Sequence, residues 1–458
     1  MTNRRVRALV ALGLACMMFV SACDSPAVNP TPITQNTSQP TSTEQPTPSP
    51  STQEATSTPT AAPEPTATST TSPPSATPTS AAGKEPLTLN PVVIETTDAA
   101  RDGIFKQERT LNLPPGFRVK LFANGLNNVR WMGVSPEGVV YATVRDDGRV
   151  VTLPDADKDG VADEVKTFAD GFEQLHGIDF KDGAVYVATE KQVIRLEDTN
   201  KDGVADQRLV MIDGFPAGGN HLTRTIVFGP DGMMYVSMGS ECNACIDPDP
   251  RQAAISRYTP DWKFDKVYAK GLRNAVGFLF HPITKQMWAT NNGRDMLGDD
   301  LPPETIHNVR EDGDYGYPYC YGDRVPDETQ EPPPGYCEQV DRPAVLMQAH
   351  SAPLGLAFYM ADHFPSQFKG DMFVAFHGSW NRSQYTGYKV ARIRFKDNQP
   401  DTSAGDLLVE DFATGWQQGN SAWGRPVQPI VAPDGLLLLT DDTANVIYSI
   451  YYREDAGS

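Results

Sequence analysis

Two short acidic segments contain the residues best suited to bind a metal ion. In each, Asp or Asn stands at three alternate positions, a glycine follows, and a further Asp comes three residues after the glycine. Alternate oxygen ligands followed by a turn glycine hold a hard cation such as Ca²⁺ in the first half of an EF-hand loop. The candidate ligands are Asp155, Asp157, Asp159 and Asp163 in the first segment and Asp198, Asn200, Asp202 and Asp206 in the second.

The bidentate Glu that ends an EF-hand loop is missing from both segments. An acidic turn that recurs because the fold recurs is therefore the alternative to a calcium site, and the sequence leaves both interpretations open. If calcium binds there, we expect it to stabilise the fold and not to take part in catalysis.

The cysteines form a second group with chemical potential. The spacing of Cys242 and Cys245 could supply half of a zinc site, but no second CxxC or HxxxH pair follows. Leaving out the two cysteines near the N-terminus, an even set remains, and in an oxidising compartment this indicates two disulfides. We predict that neighbours in sequence pair, Cys242 with Cys245 and Cys320 with Cys337.

The first residues indicate export. Three arginines precede an apolar run at 8–20, which ends in Val-Ser-Ala before Cys23. This ending resembles the bacterial lipobox, which implies that Cys23 is acylated, with an ordinary signal peptide as the alternative. Residues 24–83 are almost entirely Pro, Thr, Ser and Ala, a composition typical of disordered tethers.

We therefore expect three regions: a lipoprotein signal peptide at 1–22, a disordered lipid-anchored linker at 23–85 and one folded domain at 86–458. The domain would lie outside the cytoplasm, tethered to the cell membrane by lipid alone. The formal net charge of −19 disfavours nucleic acid or an anionic membrane surface as a partner. A small neutral or cationic substrate, or a metal ion, fits this charge better.

A repeated hairpin pattern fills the folded region and would position any site. An apolar run, a Pro-Asp-Gly-like turn and a second apolar run occur six times between residues 133 and 441, and helical periodicity is nearly absent. The turn glycines Gly138, Gly183 and Gly232 recur at about the 40–50 residues typical of one propeller blade. Radial closure removes the exposed edges of such hairpins, so we predict an all-β, six-bladed β-propeller.

The alternatives to a propeller are a β-sandwich array and a parallel solenoid. The segment VIYSIYY at 446–452 is predicted to close the ring by pairing with an N-terminal strand.

Several motifs occur in a fixed order along the predicted blades. They are GGNHLTRT within 218–245, GLRNAVGF within 271–309, YGYPYCYGD at 315–323, FHGSWNRS within 373–395 and GRPVQPIVAPDG within 424–442. Together they resemble the quinoprotein glucose/sorbosone dehydrogenase family, of the soluble aldose sugar dehydrogenase type, over residues 110–452. The resemblance implies oxidation of an aldose or sugar aldehyde by hydride transfer to pyrroloquinoline quinone (PQQ), with calcium at the site.

The resemblance also implies a general base. The family's catalytic histidine corresponds to His221, and a neutral imidazole near the operating pH suits this role. Glucose-oxidising members have Asp where this sequence has Asn220 and Ser240. Orientation of His221 is therefore expected to depend on Glu241 or on backbone groups.

Further positions match the family's cofactor site. The resemblance assigns catalytic charge stabilisation to Arg273. It assigns cofactor binding to a wider set: Arg273, Asn274, His377, Trp380 and Arg425. His377 stands where glucose enzymes have a lysine, and Trp380 could instead serve packing between blades. His176 would face the same channel, with packing as the simpler interpretation.

The family holds its catalytic Ca²⁺ partly through two successive backbone carbonyls. In this sequence these would belong to Gly293 and Arg294. The local sequence departs from that of the glucose enzymes, and the carboxylates of Asp295, Asp299 and Asp300 are alternative ligands.

Three functions remain compatible with the sequence. The first is a PQQ-dependent sugar dehydrogenase that passes electrons to an external acceptor, because the CxxC lacks the following His of a covalent haem motif. The second is a calcium-dependent lactonase or hydrolase on the same scaffold. The third is a non-catalytic carbohydrate-binding propeller.

Overall fold

The repeated hairpin of the sequence is the building unit of the computed structural model, which describes residues 85–454. In three of the six inner hairpins a proline follows the first turn residue, and the fourth residue is a glycine with positive φ: Gly138 (86°), Gly232 (77°) and Gly435 (90°). Each of these glycine N–H groups donates to the carbonyl three residues earlier, at 2.9 Å. Only glycine adopts this backbone conformation at low cost, so the turn residues define where each hairpin folds back.

Six four-stranded antiparallel sheets, here blades 1 to 6, follow one another along the chain. Each is listed from the innermost strand outwards. Blade 1 contains Val129–Val134, Val140–Val144, Arg149–Leu153 and Lys166–Ala169. Blade 2 contains Ile178–Lys181, Ala184–Ala188, Val193–Glu197 and Gln207–Ile212. Blade 3 contains Arg224–Phe228, Met234–Met238, Ala254–Tyr258 and Phe264–Lys270, with Gly313–Asp314 added in parallel.

The remaining blades include the one that closes the ring. Blade 4 contains Phe278–Phe280, Met287–Asn291, Glu304–Val309 and Val345–Met347. Blade 5 contains Pro353–Phe358, Met372–Phe376, Lys389–Ile393 and Val409–Ala413. Blade 6 contains Pro426–Val431, Leu437–Asp441 and Val446–Tyr452, and its outermost strand is Phe117–Ala123 from before blade 1.

Short elements occupy the connections between these sheets. Paired strands are Asn90–Val93 with Thr110–Leu113, Cys320–Tyr321 with Val325–Pro326, Phe395–Lys396 with Gln399–Pro400, and Gln417–Gln418 with Ser421–Ala422. The helices of the described residues are all 3₁₀ turns: Asp98–Ala100, Gly103–Lys106, Glu328–Gln330, Ser366–Phe368 and Thr402–Leu407. Within residues 85–454 no helix is long and apolar enough to span a membrane.

The innermost strands of neighbouring blades contact one another in ring order, from blade 1 round to blade 6 and back. Buried threonine hydroxyls cross four of these blade boundaries. Thr143, Thr225, Thr290 and Thr440 donate to carbonyls of the next blade at 2.6–3.0 Å. At another boundary the Gly177 N–H donates directly to the Arg224 carbonyl (3.1 Å). Each bond satisfies a buried backbone group and contributes about 0.5–1.5 kcal/mol.

The predicted propeller and its closure by 446–452 with an N-terminal strand are both confirmed. All six hairpins read from the sequence coincide with the two inner strands of a blade. The predicted signal peptide at 1–22, the acylated Cys23 and all of the linker 23–85 except Glu85 lie outside the described residues. These, and the domain boundaries they imply, stay predictions.

Candidate active site

One end of the central channel collects most of the predicted site residues. The innermost strand of each blade runs antiparallel to the second strand, so residues before the first strand lie beside residues after the second. The register shows this where Arg224 pairs with Met238 and Pro426 pairs with Asp441. We call this end the channel mouth. It carries His221 and Asn274 before innermost strands, and Gly293 after a second strand.

A cavity of about 460 Å³ is lined by channel-mouth residues of blades 3, 4 and 5. This volume lies in the range of about 300–1,000 Å³ that is typical of small-molecule sites. The lining includes Glu304, which the sequence analysis did not identify. It also includes seven residues that the sequence analysis named: Asn220, His221, Arg273, Asn274, Gly293, Asp295 and Trp380.

His221 is held by a backbone carbonyl. Its Nδ1 lies 2.7 Å from the carbonyl oxygen of Ser240, and because a carbonyl only accepts, Nδ1 carries the proton. Nε2 then has a free lone pair, and no described residue hydrogen-bonds to it. Burial lowers the pKa of His221 to about 4, assisted by the charge of Arg273. The side chain of Glu241 is exposed, so the alternative of orientation by backbone groups is the correct one.

Arg273 is buried, and protein acceptors surround its guanidinium. Nε donates to the carbonyl of Asn243 (2.8 Å), and Nη2 donates to the Asn243 side-chain oxygen (2.9 Å) and to Asp295 (3.0 Å). Nη1 donates to the carbonyls of Gly293 (2.7 Å) and Asn292 (3.4 Å). The guanidinium therefore contributes a fixed positive charge to the cavity wall, with its hydrogen-bond donors used inside the protein.

The Gly293 peptide is fixed from both sides by charged groups. Its carbonyl accepts from Arg273, and its N–H donates to a carboxylate oxygen of Glu304 at 2.6 Å. The other Glu304 oxygen accepts the Ala352 N–H at 3.2 Å, which ties blade 4 to blade 5. Burial raises the pKa of Glu304 to about 7, although both N–H groups and Arg273 act in the opposite direction.

A glycine makes room for the two polar side chains of blades 3 and 4. A Cβ on Gly239 would lie 2.6 Å from the Cβ of His221 and 2.6 Å from the side-chain oxygen of Asn274. Both distances are shorter than van der Waals contact allows, so only glycine at this position lets His221 and Asn274 approach each other.

A second polar cluster lies at the channel mouth where blades 5, 6 and 1 meet. His377 Nε2 lies 2.9 and 3.0 Å from the two carboxylate oxygens of Asp442, and Arg130 donates to the same carboxylate. Arg425 donates to the carbonyls of His377 (3.0 Å) and Gly378 (2.8 Å). We call these residues the His377 cluster. Neither His377 nor Arg425 is among the lining residues of the cavity.

Charge pairing controls ionisation in the His377 cluster. Burial acts to raise the pKa of Asp442, but His377 and the guanidinium groups of Arg130 and Arg425 outweigh it and hold this pKa well below its usual range. Burial lowers the pKa of His377, and Asp442 opposes that effect.

Loops of blades 4 and 5 meet beside the cavity. Trp380 lines it and is 62% exposed, so its aromatic face is accessible. Asp299 accepts from the Ser383 N–H (3.0 Å), and Asp300 accepts from Arg382 (3.0 Å). Of the three alternative calcium ligands, Asp295 therefore lines the cavity, whereas Asp299 and Asp300 are hydrogen-bonded to the neighbouring loop.

Arg294 contributes to a different cavity. Its guanidinium donates to Asp327 and to the Thr329 hydroxyl, both at 2.6 Å, within the connection that follows blade 4's third strand. Its carbonyl accepts no hydrogen bond from the described residues. A role for this carbonyl in binding calcium stays a prediction.

His176 lies at the start of the innermost strand of blade 2. Its ring contacts Trp131 at 4.7 Å between centroids, and Nε2 lies 3.1 Å from the Thr225 hydroxyl. Nδ1 has no partner among the described residues. Burial holds the pKa of His176 well below its usual value. These contacts favour the packing interpretation.

The two acidic loops adopt the same turn. In each, the first Asp accepts the N–H of the loop glycine, Asp155 from Gly160 (3.1 Å) and Asp198 from Gly203 (2.8 Å). In the first loop, one oxygen from each of Asp155, Asp157 and Asp159 lies within 4.8 Å of the others. Calcium binding and a metal-free acidic turn both remain compatible with this geometry.

Both loops also attach a blade to its predecessor. The Ala162 N–H donates to the Phe122 carbonyl of blade 6, and the Ala205 N–H donates to the Phe168 carbonyl of blade 1, each at 2.8 Å. The loops are connections between the third and fourth strands of blades 1 and 2, so any metal there would stabilise blade contacts.

The predicted disulfides are both present. Cys242 is bonded to Cys245 and Cys320 to Cys337. The zinc alternative for Cys242 and Cys245 is therefore wrong. The first disulfide encloses Asn243, which contacts Arg273, whereas the second lies in a small apolar cluster with Val340.

Several residues of the channel mouth escaped the sequence analysis, among them Glu304, Asp442, Arg130 and Asn243. Glu304 begins the third strand of blade 4, and the other three stand next to the end of an inner strand or in the loop that follows one. Their positions relative to the hairpin repeat were the available signal. Their hydrogen-bond partners could not be predicted from the sequence, because these depend on contacts between blades.

Comparison with known proteins gives matches over most of the described region. A profile of the TrAA12-like family matches residues 111–453. An uncharacterized protein of Borreliella burgdorferi is 35% identical over 232 residues, which cover 48% of this chain and 58% of the relative. A pyrroloquinoline quinone-dependent pyranose dehydrogenase of Coprinopsis cinerea is 24% identical over 406 residues, covering 74% of this chain and 54% of the relative.

The fold has solved counterparts. The holo form of the PQQ domain of pyranose dehydrogenase from Coprinopsis cinerea superposes with a TM-score of 0.65 at 21% identity, covering 78% of this chain and all of that chain. The chain spans about half the length of the curated relatives it matches. The structural likeness therefore supports the six-bladed propeller, and the profile match supports the family.

Proposed function

The chain belongs to the TrAA12-like family of PQQ-dependent sugar dehydrogenases, and from this premise we propose that it is a PQQ-dependent oxidoreductase acting on an aldose or sugar aldehyde. The observation that carries the proposal is the state of His221. A carbonyl fixes its Nδ1–H, burial and Arg273 keep the ring neutral, and Nε2 is left with a free lone pair in a cavity wall.

PQQ carries three carboxylates, so its site needs positive charge. The His377 cluster contains two guanidinium groups and one ionised carboxylate, which leaves an excess of positive charge. Arg130 Nε is buried and has no partner among the described residues, and Arg425 uses only Nε and Nη2 on carbonyls. Free guanidinium donors of this kind fit carboxylates, which supports Arg425 and the newly identified Arg130 as cofactor-binding residues.

The oxygen atoms of the cavity fit a hard divalent cation. The Gly293 carbonyl and the carboxylates of Asp295 and Glu304 line one cavity wall, and calcium prefers such ligands. Arg273 occupies one lone pair of the Gly293 carbonyl, so the second lone pair is the one available to a metal. We propose that calcium binds on this wall, where Gly293 and the nearby carboxylates would hold it, with the carbonyl of the adjacent Arg294, which does not line the cavity, as a further ligand.

When bound, the quinone would supply a two-electron acceptor for hydride from the sugar carbon. In the proposed reaction His221 Nε2 accepts the proton of the sugar hydroxyl as the C–H bond breaks, and the carbon becomes a carbonyl. The Arg273 charge, fixed before substrate arrives, stabilises negative charge that develops nearby. Trp380 offers an exposed ring on which the sugar can stack.

The proposal extends to the surroundings of the enzyme. The described residues include no haem-attachment motif, so the electrons would pass to an external acceptor. The sequence before Cys23 supports export and lipid anchoring outside the cytoplasm, with a small-molecule sugar as the substrate.

Reconstitution tests the proposed function. The full chain is purified without cofactor and mixed with PQQ and Ca²⁺, and reduction of an artificial dye is followed with a panel of aldoses and sugar aldehydes. We expect dye reduction that requires the quinone and is lost on chelation.

Two results would contradict the proposal. Absence of both a spectral change and an increase in melting temperature on adding PQQ with Ca²⁺ would leave a binding propeller as the better interpretation. Hydrolysis of a sugar lactone that needs Ca²⁺ but not PQQ would favour the lactonase alternative.

A further inference from the structure

The loop between the second and third strands of blade 3 holds both polar groups on which the proposed reaction depends. Ser240, at its start, accepts from His221 and donates its N–H to the Arg273 carbonyl at 2.8 Å. Three residues later Asn243 contacts the Arg273 side chain. Cys242 and Cys245 enclose Asn243 in a small covalent ring.

Asn243 forms hydrogen bonds with two residues of the cavity wall through its side chain and its backbone carbonyl. Its carbonyl accepts from Arg273 Nε (2.8 Å), and its side-chain oxygen accepts from Arg273 Nη2 (2.9 Å) and from the Asp295 N–H (2.8 Å). Its side-chain nitrogen donates to the Asp295 carbonyl at 3.1 Å. These bonds join blade 3 to the loop of blade 4 that also contains Gly293.

Other contacts hold the ring itself. The Cys245 N–H donates to the Tyr317 hydroxyl (3.1 Å), and the Ser240 hydroxyl donates to the Cys242 carbonyl (2.7 Å). Asn243 does not line the cavity, so it can influence the reaction only through the residues it holds.

We propose that Asn243, presented by the Cys242–Cys245 ring, is the positioning residue that fixes the Arg273 guanidinium and the Asp295 backbone in the cavity wall. The disulfide restricts the backbone of the ring, so Asn243 meets Arg273 already oriented. The effect on catalysis rests on the proposed function, whereas the effect on the Asp295 backbone does not.

Replacing Asn243 separates positioning from folding. Asn243→Ala removes the contacts of the side chain and keeps the carbonyl bond to Arg273. We expect kcat to fall by about 10–100-fold, as for other residues that orient a site group, with little change in the KM for sugar. Asn243→Asp keeps the acceptor oxygen for Arg273 and for the Asp295 N–H but loses the donor to the Asp295 carbonyl, so part of kcat should return.

Amide hydrogen exchange gives a readout that does not need activity. In Asn243→Ala the Asp295 amide loses its acceptor and should exchange faster. The Gly293 amide, which donates to Glu304, lies in the same loop and should keep its protection. Faster exchange at both positions would mean general loosening of the loop and would overturn the assignment of a specific role to Asn243.

The two disulfides provide a matched pair of variants. Cys242→Ser with Cys245→Ser should lower kcat and speed exchange of the Asp295 amide, in the same direction as Asn243→Ala. Cys320→Ser with Cys337→Ser removes the disulfide that encloses no Arg273 partner. It should lower the melting temperature while leaving the Asp295 amide protected.

The outcomes distinguish this inference from the proposed function. If no sugar is oxidised by the wild-type chain with PQQ and Ca²⁺, the proposed function fails, and the exchange experiment still tests the role of Asn243. If the wild type is active and Asn243→Ala keeps both its kcat and its Asp295 protection, the positioning role is wrong.

Discussion

Two half-buried histidines at the channel mouth differ in what holds them. His221 is bound through Nδ1 to the neutral carbonyl of Ser240, and its other nitrogen has no partner among residues 85–454. His377 is bound through Nε2 to the carboxylate of Asp442, which also binds Arg130. A carbonyl fixes the ring without adding charge, whereas a carboxylate favours the protonated ring.

This difference indicates how one fold obtains a neutral ring with a free nitrogen and a charge cluster from the same residue type. Burial lowers the pKa of both histidines. At His221 burial is assisted by the positive charges of Arg273 and Arg224, so the ring stays neutral and can accept a proton. At His377 the carboxylate opposes the lowering, and the ring becomes part of an ion network suited to binding anions.

The largest expected effect is on enzyme activity, and it should differ between variants of the two histidines. His221→Asn should reduce kcat/KM by about 10²–10⁴-fold, because a general base contributes that much. His377→Asn should mainly weaken quinone binding, with kcat recovering at saturating PQQ. Steady-state kinetics over a range of PQQ concentrations measure both. Equal losses of kcat in the two variants at saturating PQQ would remove the distinction.

The next effect concerns stability and compares the two hydrogen-bond acceptors. Asp442→Asn leaves the buried Arg130 without its counter-charge and should lower the free energy of unfolding by about 3–5 kcal/mol. Ser240→Ala keeps the carbonyl that holds His221 and loses the hydroxyl bonds to the Cys242 carbonyl and to His221 Nδ1, which correspond to about 1 kcal/mol each. Chemical denaturation measures both, and a larger loss for Ser240→Ala would contradict the comparison.

The pH dependence sharpens the contrast. The pKa of His221 is lowered to about 4, so kcat/KM should stay constant as pH falls from neutrality and decline only near pH 4, and not near 6.5. The folded pKa lies below the unfolded value, so the stability from keeping His221 neutral is present above pH 6.5 and is lost as pH falls towards 4. A decline of kcat/KM centred near 6.5 would show an unperturbed base.

The smallest effect tests regions away from both histidines. If the acidic loops bind calcium, chelation should lower the melting temperature by a few degrees, about 1 kcal/mol, without release of bound quinone. Asp155→Asn combined with Asp198→Asn should abolish that response. A melting temperature unaffected by EDTA would favour the metal-free acidic turn.

The sequence was sufficient for the architecture because the hairpin repeat is local. Turn glycines such as Gly138 and Gly232, and the apolar runs beside them, lie within a few residues of each other and predict the blades directly. Closure of the ring by the strand at 446–452 could also be predicted, because the sixth blade otherwise lacks a fourth strand. The predicted disulfides pair residues close in sequence, and both are formed.

The arrangement within the site was less accessible. Nothing near Arg273 in sequence indicates that Asn243, Gly293 and Asp295 accept its hydrogen bonds, because these residues come from different strand ends. The pairing of His377 with Asp442 likewise joins blades 5 and 6. The family resemblance indicated which residues belong to the site, but their hydrogen-bond partners depend on how the blades pack together.

The outermost strand of blade 6 has a consequence for how the molecule acquires its structure. Phe117–Ala123 is made before any blade is complete, and its partner Val446–Tyr452 is made only after the strands of blades 1 to 5. Pairing over such a sequence separation raises contact order, and folding of proteins with high contact order is slow. Until that pairing occurs, the early strand has an unsatisfied edge, so the nascent chain must avoid aggregation until Val446–Tyr452 has been made.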